Sequence, residues 1–142
     1  MPSRPDLPRA PYRDRWAIAA GGPRCGFAHV PTITLDQLIE RHGKPTFVKI
    51  DVEGFEAEAL AGLSRPLEAF SFEFTTLLRG VAVDCVTRCR AFGAYSFNAA
   101  LGETQRLTFP QWIDAEAIER WLEALPDSTN SGDIYVRRSA IG

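Results

Sequence analysis

The sequence has little of the chemistry that marks redox or metal proteins. Its 142 residues include three cysteines, two histidines and one methionine. An odd number of cysteines does not describe a disulfide framework, and neither histidine has further ligands at the spacing of a metal site. The formal net charge of −2 also excludes a polybasic surface for nucleic acid or anionic lipid. We therefore expect no nucleic-acid or membrane partner and no metal bound through cysteine or histidine.

Long apolar runs are missing as well. No stretch approaches the roughly 20 apolar residues of a membrane-spanning helix, and the N-terminus lacks the apolar core of a signal peptide. The composition, 45% hydrophobic and 24% charged, is that of an ordinary globular domain. We predict a cytoplasmic protein with a flexible lead-in over residues 1–15, where proline recurs every third residue, and a single domain over residues 16–142.

The sequence does contain a β-strand, an acidic turn and a helix in direct succession. Residues 47–52 form an apolar run rich in β-branched residues, which predicts a buried strand. The helical spacing of apolar residues over 55–63 predicts the helix, and phenylalanines that alternate over 69–74 predict a second strand. Strand, helix and strand in this order predict a parallel pair joined by a right-handed crossover.

Further elements surround this unit. Thr34 and Gln37 predict a capping box at the start of a helix that ends at Gly43, where a positive φ is expected. Cys85 and Cys89 are four residues apart, which predicts two reduced thiols on the core face of another helix. The other predicted elements are a helix over 114–125 and strands over 95–99, 105–109 and 134–136.

The acidic turn also carries a family resemblance. The block Lys49-Ile50-Asp51-Val52-Glu53-Gly54-Phe55-Glu56, with Leu60-Ala61-Gly62-Leu63 and Phe72-Glu73 after it, resembles the FkbM family of S-adenosylmethionine-dependent methyltransferases. The resemblance implies an α/β fold: a partial class I (Rossmann-like) methyltransferase sheet, mostly parallel with an antiparallel C-terminal strand, and helices on both faces. It also implies S-adenosylmethionine as the cofactor and methylation of a hydroxyl on a saccharide or polyketide-type small molecule.

Three acids are the candidate catalytic residues. Asp51 and Glu53 follow the first strand and Glu73 lies near the end of the second, and ligands of open α/β sheets bind at these strand ends. There the acids can take up the proton of an acceptor hydroxyl. A divalent-cation site built on the same three carboxylates is a further alternative. The structural alternative is that these acids only stabilise the helix that follows, through its dipole.

Three neighbours are expected to support this motif. Lys49 can pair with one of the acids, and Gly54 permits the turn. Glu56 belongs to the family-like block, and its side chain is expected on a solvated helix face together with Glu58. We therefore expect the chemistry to lie with the acids before the helix rather than with those on it.

The sequence does not show the whole of such an enzyme. In the family a glycine-rich cofactor loop precedes the strand that carries Asp51, and residues 21–26 do not fit the G-x-G-x-x-G pattern. We therefore expect a truncated domain, whose first strand has an open edge that invites self-association or a partner chain unless residues 16–20 cover it. Two functions stay open: an O-methyltransferase, and a non-catalytic half-domain that serves as an interaction or partner subunit.

Overall fold

The computed structural model of the protein describes residues 31–140. The predictions for the lead-in over 1–15, the strand at 16–20 and the turn at 21–26 lie outside this range. Short 3-10 turns at Thr76–Leu78 and Asp127–Thr129 precede the third helix and the fourth strand. The helices and strands are, in chain order, α1 (Leu35–His42), β1 (Val48–Ile50), α2 (Glu56–Ala61), β2 (Ala69–Thr75), α3 (Arg79–Phe92), β3 (Tyr95–Leu101), α4 (Ala115–Ala124) and β4 (Ser131–Arg138).

The four strands form one mixed sheet in the order β1-β2-β4-β3. β1 and β2 pair in parallel, with α2 between them in the chain, so the predicted strand–helix–strand unit is confirmed. β4 runs antiparallel to both of its neighbours, which confirms the antiparallel C-terminal strand. The sheet was expected to be mostly parallel, but only one of the three pairings among the described strands is, because β4 lies between β2 and β3.

One face of this sheet, the helix-side face, carries the hydrophobic core. Phe70, Phe72 and Phe74 of β2 alternate onto it, and Val136 and Ile134 of β4 lie opposite the first two. Full burial of one such side chain stabilises the fold by about 1.5–3 kcal/mol. Buried residues of α1, α2, α3 and α4 all belong to the same apolar cluster. Over residues 31–140 the helices thus pack on one face, and the expected second helical layer is not seen there.

The opposite face of the sheet, the polar face, is different in character. Because side chains alternate along a strand, the residues between the core phenylalanines point to it, and Ser71 and Glu73 are those of β2. Asp133 and Tyr135 lie opposite them on β4. The sheet therefore separates an apolar, helix-covered layer from a layer of polar and charged side chains.

The helix ends follow the sequence signals. The Gln37 N–H donates to Thr34 Oγ1 at 3.1 Å, and the Thr34 N–H donates to Gln37 Oε1 at 3.0 Å, which confirms the capping box. Gly43 ends α1 with a φ of +88°, so the positive φ is also confirmed. Asp114 caps α4 by accepting from the Ala117 N–H at 2.8 Å.

The strand predicted over 105–109 is wrong, and the buried side chain of Asn98 explains why. Its Nδ2 donates to the Phe109 carbonyl at 2.9 Å, and its Oδ1 accepts from the Phe109 N–H at 3.1 Å. A side chain thus takes up the backbone groups that a neighbouring strand would bind. The Thr108 N–H still donates to the Ala99 carbonyl of β3 at 2.7 Å, and further on the chain forms an isolated bridge between Phe97 and Ile113.

The two helix cysteines lie in the core, as predicted. Cys85 and Cys89 are free thiols on the buried face of α3. Burial raises the pKa of Cys89 to about 12 and that of Cys85 further, so both stay protonated and unreactive.

Across residues 31–140 no helix is long and apolar enough to cross a bilayer. The cytoplasmic location stays a prediction.

Candidate active site at the ends of β1 and β2

The acidic turn after β1 is held in an uncommon backbone conformation. Glu53 and Gly54 both have positive φ, +53° and +94°, and the Phe55 N–H donates to the Val52 carbonyl at 3.2 Å. Positive φ at both central residues is the pattern of a type I′ turn. A side chain in this region costs about 1–2 kcal/mol, so Glu53 is held there by its surroundings. Gly54 has a second constraint, because a Cβ would lie 3.0 Å from Leu78 Cδ1.

Glu56 lies under this turn and not in solvent. Its side chain is 3% exposed, and its Oε1 accepts from the Val52 N–H at 3.2 Å. The predicted solvated face is therefore wrong for Glu56, and Glu58 is also partly buried. The physical reason is that the tight turn brings a backbone N–H over the first turn of α2, where a carboxylate is the acceptor that satisfies it.

The carboxylates meet on three adjacent strands of the polar face. Ile50 lies opposite Phe72, so Asp51 follows β1 at the level of Glu73 on β2. Glu73 in turn lies directly opposite Asp133 on β4. Opposite residues of neighbouring strands have Cβ atoms about 4.5–5.5 Å apart. We call Asp51, Glu73 and Asp133 the carboxylate row; Glu53 stands beside it on the turn.

Burial and crowding make Glu73, the central member of the row, a weaker acid than an ordinary carboxyl. Burial raises the pKa of Glu73 to about 7, and its hydrogen bond with Asp51 and the charges of Asp51, Glu53 and Asp133 act in the same direction. A carboxyl with such a pKa is present in both protonation states at neutral pH, as a general base requires. The structure therefore brings the three predicted catalytic acids together.

One cation lies near the row. Lys49 Nζ is 4.0 Å from Asp51 Oδ2, so the expected pairing with one of the acids is found. Both side chains are substantially exposed, and an ion pair of this kind contributes about 0–1 kcal/mol. Lys49 thus reduces the local negative charge without removing it.

A small cavity opens beside Glu73. Its volume is about 100 Å³, and its lining includes both acidic and apolar residues. Typical small-molecule sites measure about 300–1,000 Å³, so this cavity has room for one hydroxyl-bearing fragment of a ligand. It is lined by Glu53, Gly54, Glu56, Glu73, Phe74, Thr75, Leu78, Val81 and Ala82.

The described residues do not provide a metal centre or a complete cofactor pocket. Over 31–140 no group of three or more His, Cys, Asp or Glu side chains is placed to hold a metal ion, so the cation alternative for Asp51, Glu53 and Glu73 has no support. The glycines in this range occur singly, without a cofactor loop. S-adenosylmethionine is far larger than the cavity, and these residues alone do not fit it.

Asp133 is the site residue that the sequence analysis missed. Its place beside Glu73 depends on the antiparallel register of β2 and β4, which the sequence does not encode locally. One signal was present: Ile134 and Val136 alternate as core residues, so Asp133 must point to the opposite face. The sequence did not show which neighbouring strand Asp133 would lie against.

Comparison with known proteins identifies the class. Residues 26–125 match the family described as the methyltransferase FkbM domain, which is well over half of the chain. The chain therefore belongs to the FkbM methyltransferase family, and the resemblance is confirmed. It is also 37% identical over 65 residues to the hexuronic acid methyltransferase AglP of Haloferax volcanii. These residues are 44% of this chain and 27% of AglP, so the match spans about a quarter of that relative.

Proposed function

We propose that this chain takes part in S-adenosylmethionine-dependent methylation of a hydroxyl oxygen on a saccharide. Family membership supports methyl transfer, and AglP, a hexuronic acid methyltransferase by name, supports a sugar acceptor. The observation that carries the proposal within this chain is Glu73, whose raised pKa lies near neutrality beside a cavity. Residues 31–140 alone do not form a complete cofactor pocket, so cofactor binding has to be tested on the full chain.

Glu73 acts as the general base in this proposal. Its ionised form accepts the proton of the acceptor hydroxyl, which leaves the oxygen more nucleophilic. Asp51, hydrogen-bonded with Glu73, fixes the position of that carboxyl and helps to raise its pKa. Glu53 lines the cavity and accepts a hydrogen bond from a second hydroxyl, which a saccharide supplies.

The negative charge of the row also bears on how an acceptor is oriented. Asp51, Glu53 and Asp133 all act on Glu73 as anions. Like charges repel at short range, so a uronic acid would present its hydroxyls to the row and turn its own carboxylate away. Leu78 and Val81 offer an apolar wall against which the C–H face of a sugar ring can pack.

Calorimetric titration of the full 142-residue chain with S-adenosylmethionine and S-adenosylhomocysteine tests cofactor binding. Saturable binding, followed by methyl transfer to a uronic-acid-containing saccharide detected by mass spectrometry, is the expected result. Absence of binding by the chain alone and in the presence of co-purified partners would contradict the proposal. That outcome would favour the alternative of a non-catalytic half-domain.

We also propose that another chain pairs with the outer edge of β1. Among residues 31–140, β1 has a strand neighbour on one side only. Phe47 and Val52, just before and after it, are 49% and 42% exposed. An open, apolar edge favours association. Sedimentation at several concentrations should show a dimer or larger particle, and a strictly monomeric chain would contradict this proposal.

A further inference from the structure

Asp133 is placed to act on Glu73 from the side opposite Asp51. The two residues are direct partners across the antiparallel pair of β2 and β4, and both side chains lie on the polar face. The strand on the other side of β4 offers Asp133 nothing polar, because its partner there is Ala100. Its nearest polar neighbour by register is therefore the carboxyl of Glu73.

The side chain of Asp133 also has an unsatisfied atom. Its Oδ1 is buried and has no hydrogen-bond partner within the part of the chain that the structure describes. Such atoms are rare in native proteins, because a buried acceptor without a donor is unfavourable. Of the charged groups that act on it, Lys49 is a cation, whereas Asp51 and Glu103 are anions. Glu73, its partner on the neighbouring strand, has a single O–H when protonated, and that carboxyl is hydrogen-bonded with Asp51.

We propose that Asp133 is a positioning residue for Glu73: from the strand on the side opposite Asp51, its charge favours the protonated form of that carboxyl and thereby controls when the base is free. This inference rests on the proposed role of Glu73 in methyl transfer. Glu73 is then flanked by an acceptor on each neighbouring strand. When Glu73 ionises, the carboxylate row holds three negative charges. Their mutual repulsion favours the return of the proton to Glu73.

Other charged groups lie around Glu73, and each belongs to a different element of the fold. From the turn, Glu53 adds a third negative charge. From β1, Lys49 is paired with Asp51, 4.0 Å away. From α2, Glu56 is engaged with the Val52 N–H. Asp133 is thus the one acid of the row that faces Glu73 from β4, and its removal tests that side of the row alone.

The test is Asp133→Asn in the full chain, followed by carbon-detected NMR of the side-chain carboxyls. The amide removes the negative charge and gives the ionised Glu73 a donor, so the pKa of Glu73 should fall by roughly one pH unit. Glu123→Gln, an exposed acid on α4, is the matched control and should leave that pKa unchanged. An unaltered Glu73 pKa in Asp133→Asn would overturn the proposal.

A second variant keeps the proposal testable if Asp133→Asn fails to fold. Asp133→Ser removes the same negative charge with a smaller polar side chain, so the pKa of Glu73 should again fall. An unchanged Glu73 pKa in that variant would also overturn the proposal. Neither titration needs cofactor or acceptor, so both stand even if no methyl transfer is found. In an active enzyme, Asp133→Asn should also move the acidic limb of the kcat/KM profile to lower pH, whereas a purely structural role would lower the rate at every pH.

Discussion

The two ends of β2 hold glutamates in opposite circumstances. Glu68, just before the strand, accepts from Lys44 Nζ at 2.9 Å and Arg138 Nη1 at 3.3 Å, and these partners lower its pKa. Burial raises the pKa of Glu73, near the other end, to about 7, and the acids around it act in the same direction. Glu68 is paired with two basic side chains and stays ionised. Glu73 lies among other carboxyl groups and exchanges its proton near neutral pH.

The difference separates an end of the sheet with paired charges from an end with the features of a candidate site. A matched charge pair at the surface adds little stability and needs no special backbone. The end with Glu73 combines a raised pKa, a positive φ at a glutamate and a cavity. Perturbed titration and backbone strain cluster at active sites. The comparison therefore supports the proposal that the chemistry lies at the end that carries the carboxylate row.

The largest expected effect comes from neutralising each glutamate in turn. Glu73→Gln removes the proposed base and should lower the methyl-transfer rate about 100-fold or more. Glu68→Gln, at the other end of the same strand, should leave the rate within about twofold, since surface ion pairs contribute little. Rates measured by mass spectrometry of the methylated acceptor check this. Equal losses in the two variants would contradict the comparison.

The same two variants should differ in the pH dependence of stability. The folded pKa of Glu73 is about 7, above the ordinary value of 4.5 for a glutamate, so its favourable contribution is complete below pH 4.5 and is lost between about pH 4.5 and 7. Glu73→Gln should then be more stable than the parent at pH 8, by about 2 kcal/mol once solvent screening of this partly exposed group is included. The two should agree at pH 4.

Glu68→Gln should show the reverse sign. The folded pKa of Glu68 is lowered, so its contribution is present above the ordinary pKa of a glutamate and is lost as the pH falls. This variant should be less stable than the parent at pH 7 and equal to it at low pH. Urea unfolding at pH 4, 7 and 8 measures both variants. Parallel pH profiles would show that the two ends are not distinct.

A smaller effect is expected from the turn beside the row. Gly54→Ala should destabilise the fold by about 1–2 kcal/mol, because its φ is +94° and the new Cβ would lie 3.0 Å from Leu78. Gly102→Ala is the control, with a positive φ of +51° and no atom near its Cβ. The difference between their free energies of unfolding isolates the contact with Leu78. Identical values would mean that Leu78 moves aside freely.

Much of this arrangement could be predicted from local sequence patterns. The β-branched run before Asp51 and the alternating phenylalanines after it gave the two parallel strands, because burial periodicity is encoded residue by residue. Thr34 and Gln37 gave the start of α1 for a similar reason, since a capping box needs only four residues. Asp51, Glu53 and Glu73 followed from their places at the strand ends.

The remainder depended on contacts between distant residues. Glu56 was placed in solvent because no sequence rule shows that a turn four residues earlier presents an N–H to it. Residues 105–109 alternate like a strand, but the Asn98 side chain occupies the backbone groups of Phe109. Asp133 became visible only through the register of β4 against β2. In each of these three cases, a polar group lies beside a partner that only the tertiary structure brings near.

The most direct test of the central claim is to titrate Glu68 and Glu73 in the same sample, by NMR of their side-chain carboxyl carbons. The account predicts that Glu73 titrates near pH 7 and Glu68 below the ordinary range of a glutamate. Assignment follows from Glu73→Gln and Glu68→Gln, each of which removes one signal. Two glutamates that titrate together near pH 4.5 would contradict the account, because Glu73 could then not serve as a base tuned to neutral pH.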